Sequence, residues 1–320
     1  MKRLVTLSAA LLVAALAARE ARAFGGSDVG TSGAQFLKIT PGARPSGMGD
    51  AFAGVADDIH AIYYNPAGLG TLRRVEVAGM HDSYFQGVNY EFAAAAVPIL
   101  AWTDTQQDKN KYGVLGVAVY DLEVSGIEQR GTTESDTPVA TFGSSDFAYS
   151  LSYGYRIADL GLSLGATMKY IDQTLDNVKA SAVAGDFGAL YRFGRVGVGA
   201  GVRNVGSKPK FLSQADPLPT TVFTGLGYKI TDNWIGSLEL DAPRDNDMTF
   251  GLGTEYKIFF VDKLTGAVRA GYNTKNAYAG GFNGASFGLG LGYGNFDFDF
   301  AFVPFGDLGN TYKYSMVVKF

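Results

Sequence analysis

The segment Thr311-Tyr312-Lys313-Tyr314-Ser315-Met316-Val317-Val318-Lys319-Phe320 decides the fold. Tyr312, Tyr314, Met316, Val318 and Phe320 share one face of an extended strand. Lys313, Ser315 and Lys319 share the other, with Val317 the one apolar residue among them. Side chains alternate along a strand with period two, so one side is apolar and the other polar. A soluble sandwich makes the same pattern but seldom ends on an exposed aromatic. In a membrane barrel the apolar side meets lipid and the lysines face the lumen. A terminal aromatic strand is also a signal that the barrel-assembly machinery reads.

The same alternation recurs upstream in segments of about ten residues, the length a tilted strand needs to cross a bilayer. Leu164, Ala166, Met168 and Tyr170 oppose Gly165, Thr167 and Lys169; Phe287, Leu289, Leu291 and Tyr293 oppose Gly288, Gly290 and Gly292. Strand starts fall near residues 74, 87, 111, 144, 160, 181, 196, 220, 234, 247, 264, 284, 295 and 311. An even count suits a closed antiparallel barrel, with 12 and 16 as the neighbouring possibilities. Arg156–Asp159, Arg192–Arg195 and Ile230–Asn233 read as tight turns at one end. Leu122–Thr141 and Val205–Pro219 read as long loops at the other. Leu100–Asn110 is the exception, a long polar connection at the tight-turn end.

The N-terminus suits export to such a wall. Lys2 and Arg3 precede an uncharged, largely apolar run, Leu4 to Ala18, and Ala21-Arg22-Ala23 supplies a small-residue cleavage site. A run of about 15 residues is short for a helical span. Residues 1–23 therefore read as a cleaved signal peptide, placing the protein in the bacterial outer membrane. Cleavage leaves 23 Lys+Arg against 30 Asp+Glu, a formal charge of −7 with no basic run, which argues against nucleic-acid binding. The absence of cysteine removes lipoprotein anchoring, disulfides and thiolate chemistry.

Glycine, 43 residues in all, crowds the inward positions. Two readings are open: glycines ease barrel curvature, or they clear room for something packed inside. Residues 24–73 lack transmembrane alternation and are the candidate plug, ahead of a barrel at 74–320. Within them, Asp57 or Asp58 is placed to cap a short helix through Tyr64. Asn65-Pro66 ends it, because a residue before proline avoids helical backbone, and Gly68 supplies a turn into the first strand.

Asn65-Pro66-Ala67-Gly68-Leu69, following Asp57-Asp58 and Tyr63-Tyr64, resembles the hatch of FadL-like outer-membrane proteins. Gly33–Gly70, Phe302–Thr311 and the final strand resemble the PorV/PorQ family more specifically. That resemblance implies a 14-stranded barrel with an N-terminal plug. It also implies a non-enzymatic role in type IX secretion, binding the C-terminal signal domains of secreted proteins. The alternative, from the FadL-like side, is passive transport of hydrophobic small molecules such as fatty acids. An apolar pocket between plug and wall favours transport; a sealed lumen under protruding apolar loops favours protein binding.

Other motifs carry less. His60 and His81, the only histidines, read as girdle or loop residues and not as metal ligands. His81-Asp82-Ser83 has triad residue types, but strand neighbours point to opposite faces. Gly288-Leu289-Gly290-Leu291-Gly292 is followed by no helix, so a nucleotide-binding reading fails. Asp297, Asp299, Glu239 and Glu255 are expected to pair in the lumen with Lys313, Lys319, Arg269 and Lys229. Phe305, Asp307, Leu308 and Asn310 lie on the last outer loop, where an exposed apolar tip is a candidate membrane-dipping or partner-binding site. No enzymatic constellation, metal site or cofactor is expected.

Overall fold

The computed structural model describes residues 29–84, 87–102, 109–133, 135–261, 263–277 and 283–320. The expected signal peptide and cleavage site, and plug residues 24–28, lie outside the described residues.

Sixteen strands follow in chain order: β1 (Glu76–Ser83), β2 (Asn89–Pro98), β3 (Val114–Gln129), β4 (Ala140–Ile157), β5 (Leu162–Leu175), β6 (Val178–Phe193), β7 (Val196–Gly206), β8 (Lys210–Phe211), β9 (Gln214–Ala215), β10 (Thr221–Lys229), β11 (Trp234–Pro243), β12 (Thr249–Phe259), β13 (Leu264–Asn273), β14 (Ala285–Tyr293), β15 (Phe296–Pro304) and β16 (Asn310–Lys319). Fourteen of them close into one antiparallel barrel, with β8–β9 a separate small hairpin. Each wall strand begins within four residues of its position expected from sequence. The last strand closes the ring: β16 pairs with β15 on one side and β1 on the other, Val318 opposite Val77 and Tyr314 opposite His81.

Alternation sets which side chains point outward. On β16, Tyr312, Tyr314 and Met316 are exposed while Lys313, Ser315 and Val317 are buried; Phe320 follows the strand, exposed. Around the ring, Leu164, Met168, Leu226, Leu252, Leu289 and Phe298 form an outward apolar belt. Tyr153, Tyr228, Trp234, Tyr256 and Tyr293 flank it at one end and Tyr149, Tyr170, Tyr272 and Tyr312 at the other. An apolar band between two aromatic girdles is the surface of a wall that sits in a bilayer. No described helix is long and apolar enough to cross one.

The tight turns fall as expected at one end, where Gly194-Arg195 joins β6 to β7 and Gly294-Asn295 joins β14 to β15. The other end differs from expectation in detail. Half of Leu122–Thr141 is strand, because β3 and β4 continue pairing past a bulge between Val124 and Ile127. Val205–Pro219 carries the β8–β9 hairpin. The wall is therefore uneven: β3–β6 run 14 to 18 residues, whereas β10–β16 run 9 to 11.

Candidate functional site

The inward face of the barrel meets the N-terminal segment, and glycine meets glycine where they touch. A Cβ on Gly54 would lie 2.6 Å from the Gly227 nitrogen, and one on Gly227 would lie 2.9 Å from the Gly54 carbonyl. The pair Gly47 and Gly288 stands in the same relation, at 2.9 and 3.1 Å. On the opposite side of the ring a Cβ on Gly154 would lie 2.5 Å from the Gly70 nitrogen, and one on Gly70 2.8 Å from the Tyr155 backbone. At these distances backbone packs on backbone and no side chain fits between. Of the two readings of the inward glycines, making room for packed chain is therefore the one these contacts support.

Short helical turns organise the segment: Ala43–Gly47, Ala61–Tyr64 and a 3-10 turn Pro66–Thr71. Asn65 ends the second as expected, in extended backbone with φ −160°. Its side-chain oxygen then accepts from the Ala67 amide, while its amide nitrogen donates to the carbonyls of Ala53 and, on the wall, Ala189. Of the two expected caps, Asp58 takes an amide at the entry to the helix, its Oδ1 accepting from the His60 N–H at 2.9 Å, although the helix itself starts later, at Ala61. Both carboxylates also accept from Arg44 Nη1, each at 2.6 Å, in charge-assisted hydrogen bonds. The expected role of Gly68 is corrected. It packs against Ala56 and Ala61, so close approach and not a turn requires glycine there. Tyr63 donates to the Leu37 carbonyl and Tyr64 to Asp50, both at 3.0 Å. Pro66 and Ala67 are buried against Gly165.

An ionic chain ties the segment to the wall. Arg44 donates through Nε and Nη2 to the two oxygens of Glu255, at 2.8 and 2.9 Å. Arg269 Nε donates to the same carboxylate at 2.7 Å, and its Nη1 to Asp299 at 2.7 Å. Burial opposes ionisation of Asp58, but His60 and Arg44 outweigh it and hold the carboxyl well below the usual carboxylate range. Asp57 is lowered for a similar reason, burial being outweighed by Arg44 and Lys257. In a second group Glu239 accepts from the Phe52 and Ala53 amides, both at 2.7 Å, and pairs with Arg203 at 3.1 Å. Arg203 also pairs with Asp241 and stacks 4.5 Å over the Phe223 ring.

Of the lumen pairs expected from sequence, Asp297–Lys319 at 2.9 Å and Asp299–Arg269 form as such, and Glu255 takes Arg269 as well. Lys313 pairs with Asp82 at 3.4 Å and also donates to the Thr40 carbonyl of the segment. Lys229 is exposed and outside these groups. Arg44 and Arg203 were missed. Arg44 had a signal: it is the one charged residue between Lys38 and Asp50, and a charge in a buried segment needs a partner.

The histidines are also relocated. His60 is fully buried in the segment, with Nδ1 2.9 Å from Asp58 and Nε2 without a hydrogen-bond partner among the described residues. It lies in neither girdle nor loop. His81 points outward to Glu91 and Asp82 inward, on opposite faces as expected. Among the described residues no cluster of three His, Asp or Glu side chains is arranged to hold a metal ion.

At the long-loop end a cavity of about 430 Å³ opens between the segment and the wall. Ile39, Thr40 and Asp50 line it from below; Tyr84, Val303, Phe305 and Leu308 from the wall; Lys38, Lys275 and Lys313 add charge. Phe305 is half-buried, its ring meeting Tyr84 edge-on at 5.5 Å. The expected exposed tip is thereby corrected, since the turn Gly306–Leu308 folds Phe305 over the mouth. Leu308, Asp307 and Asn310 remain exposed. Asp50 is lowered, its burial outweighed by Lys275 and Lys313.

This is the class of protein the fold defines: a closed 14-stranded antiparallel barrel, similar to FadL-like hydrocarbon channels. The similar solved structures include the CymD monoaromatic hydrocarbon channel (TM-score 0.58, 12% identity, 87% of this chain and 97% of that one). The Ralstonia pickettii toluene transporter TbuX gives TM-score 0.57 at 14% identity, over 88% and 97%. A Pseudomonas aeruginosa FadL homologue gives 0.50 at 12%, over 88% and 98%. At such identities the likeness is one of fold. By sequence, residues 9–174 match the family described as "Uncharacterised protein family (UPF0164)", and the chain belongs to that family. Comparison with curated protein sequences gave no match.

Proposed function

We propose that this protein is an outer-membrane barrel that passes hydrophobic small molecules without enzymatic chemistry, with residues 24–73 as a plug. The carrying observation is the mouth cavity. It lies between the segment and the wall, and Ile39, Tyr84, Val303, Phe305 and Leu308 give it an apolar side opposite the polar Lys38, Thr40, Asp50, Lys275 and Lys313. A concave, mostly apolar site with a few polar groups is the usual form of a small-molecule site. The FadL-like fold supports the same reading by analogy. In this account Tyr312, Tyr314, Met316, Val318 and Phe320 present the strand recognised during barrel assembly, and the outward belt contacts outer-membrane lipid.

The export role implied by the PorV/PorQ resemblance has less support. Phe305, half of the apolar tip on which it drew, is folded over the mouth, leaving Leu308 alone. The test is uptake of radiolabelled toluene by cells whose lipopolysaccharide outer leaflet limits its entry. The wild-type barrel should raise the rate several-fold and Phe305→Asp should return it towards background. A rate equal to that of cells lacking the barrel would overturn the proposal.

A further inference from the structure

At the tight-turn end of the lumen, cations are arranged differently from those above. Arg44, Arg203, Arg269, Lys313 and Lys319 each meet a carboxylate. Three others converge on a recess of about 130 Å³ between the segment and the wall. They are Arg192 near the end of β6, Arg195 in the turn that follows, and Lys229 at the end of β10.

Backbone carbonyls hold the two guanidiniums. Arg192 Nη2 donates to the carbonyls of Val55 and Ala56, and Arg195 Nη1 to that of Ile230 at 2.9 Å. A carbonyl orients a guanidinium but carries no charge to cancel it. Arg195 has only the exposed Asp232, at 3.5 Å, and Lys229 makes no ion pair among the described residues. Asp57, the one carboxylate in the lining, is taken by Arg44. Lys229 is exposed and the Arg195 side chain is 52% exposed, so a ligand arriving from outside can reach both.

Size and surroundings select that ligand. At roughly 30 Å³ per water the recess has the volume of about four waters, too little for a drug-sized molecule and enough for one tetrahedral oxyanion. Clustered guanidinium and ammonium groups suit phosphate. Tyr228, an outward girdle residue, shares the lining, and girdle rings sit at the level of lipid headgroups. At the short-turn end of such a barrel those headgroups belong to the periplasmic leaflet.

We propose that this recess binds the phosphate of an anionic phospholipid from that leaflet. Lys229 and Arg195 hold the phosphate, Arg192 stands behind it, and the acyl chains pass Tyr228 onto the outward apolar belt. A choline headgroup is disfavoured, because its own cation would face three others. The site lies at the opposite end from the mouth cavity and does not depend on the transport reading.

The full chain in dodecyl maltoside, incubated with phosphatidylglycerol or phosphatidylcholine of the same acyl chains and then gel-filtered, tests this. Retained lipid is counted by mass spectrometry, and heat-modifiable gel migration confirms that each variant is folded. The expected result is at least tenfold more phosphatidylglycerol than phosphatidylcholine retained. Retention of phosphatidylglycerol should fall at least fivefold in the double variant Arg195→Gln/Lys229→Gln. It should be unchanged in Lys263→Gln, which removes an exposed lysine at the same end but outside the recess. Equal retention of the two lipids, undiminished retention by the double variant, or an equal loss in Lys263→Gln would overturn the proposal. So would release of phosphatidylglycerol by excess inorganic phosphate but not by chloride of the same ionic strength, which would give the site to free phosphate.

Discussion

Two arcs of the wall grip the same N-terminal segment by different physics. Across β1–β3 the inward residues are mostly apolar: Ala78, Met80, Tyr90, Phe92, Ala94, Ala96, Ala118 and Tyr120 form one cluster with Ile59, Ile62 and Tyr63 of the segment, and Glu76 and Asp82 are the charged exceptions. Across β10–β14 glycine and charge dominate the inward positions, with Gly225, Gly227, Glu239, Gly251, Glu255, Arg269, Gly271 and Gly288 standing among Phe223, Ile235, Ser237, Ala267 and Ser286. There the segment's backbone lies on the wall's backbone, and carboxylates and guanidiniums supply the specific bonds. Side-chain packing is plastic and tolerates volume changes in graded fashion. Backbone contact has no such slack, and a buried ion pair that loses one partner leaves the other unpaired. The two arcs should therefore fail differently.

The most severe test is Gly271→Val. Its added carbons fall on the Gly49 amide, with backbone on both sides. A loss of about 4–5 kcal/mol is expected, at the extreme of single substitutions, read as a collapse of the urea midpoint for unfolding in detergent. Arg44→Met removes the cation that Glu255, Asp57 and Asp58 share, leaving Glu255 to Arg269 and Asp58 to His60, and should cost about 3 kcal/mol in the same assay. Acid weakens the same arc more gently. The Asp58 carboxyl sits below its unfolded value of about 3.9, so its contribution is complete above that pH and is lost as the pH falls further. Amide exchange in residues 43–58 should accelerate below about pH 4, while residues 61–69 hold their protection; Arg44→Met should narrow the difference, leaving the part due to His60. The smallest effect belongs to the apolar arc: Ile62→Val should cost about 0.5–1.5 kcal/mol with no pH dependence.

The legibility of the sequence follows the same division. The wall was readable because lipid outside imposes period two on every strand, and a dozen or more repeats of that pattern place strand starts to within four residues. The long-loop end was not, because strands that continue beyond the membrane belt lose the alternation: Ser125, Gly126 and Glu128 on β3 carry none of it. The inward glycines left barrel curvature and packed chain both open, and did not disclose their partners. Nothing local sets Gly47, Gly54 and Gly70 against Gly288, Gly227 and Gly154; only the fold does. Asp57 and Asp58 sit where a helix cap belongs, and nothing local reveals an arginine 13 and 14 residues earlier. Phe305 looked exposed because a turn composition does not say which way its aromatic folds.

The central claim is that the N-terminal segment closes the lumen, and single-channel recording in planar bilayers tests it most directly. The wild-type barrel should pass little ionic current, and a folded barrel lacking Ala61–Gly68 should conduct as an open pore. A deletion variant that migrates as a folded barrel and conducts no more than the wild type would contradict the account.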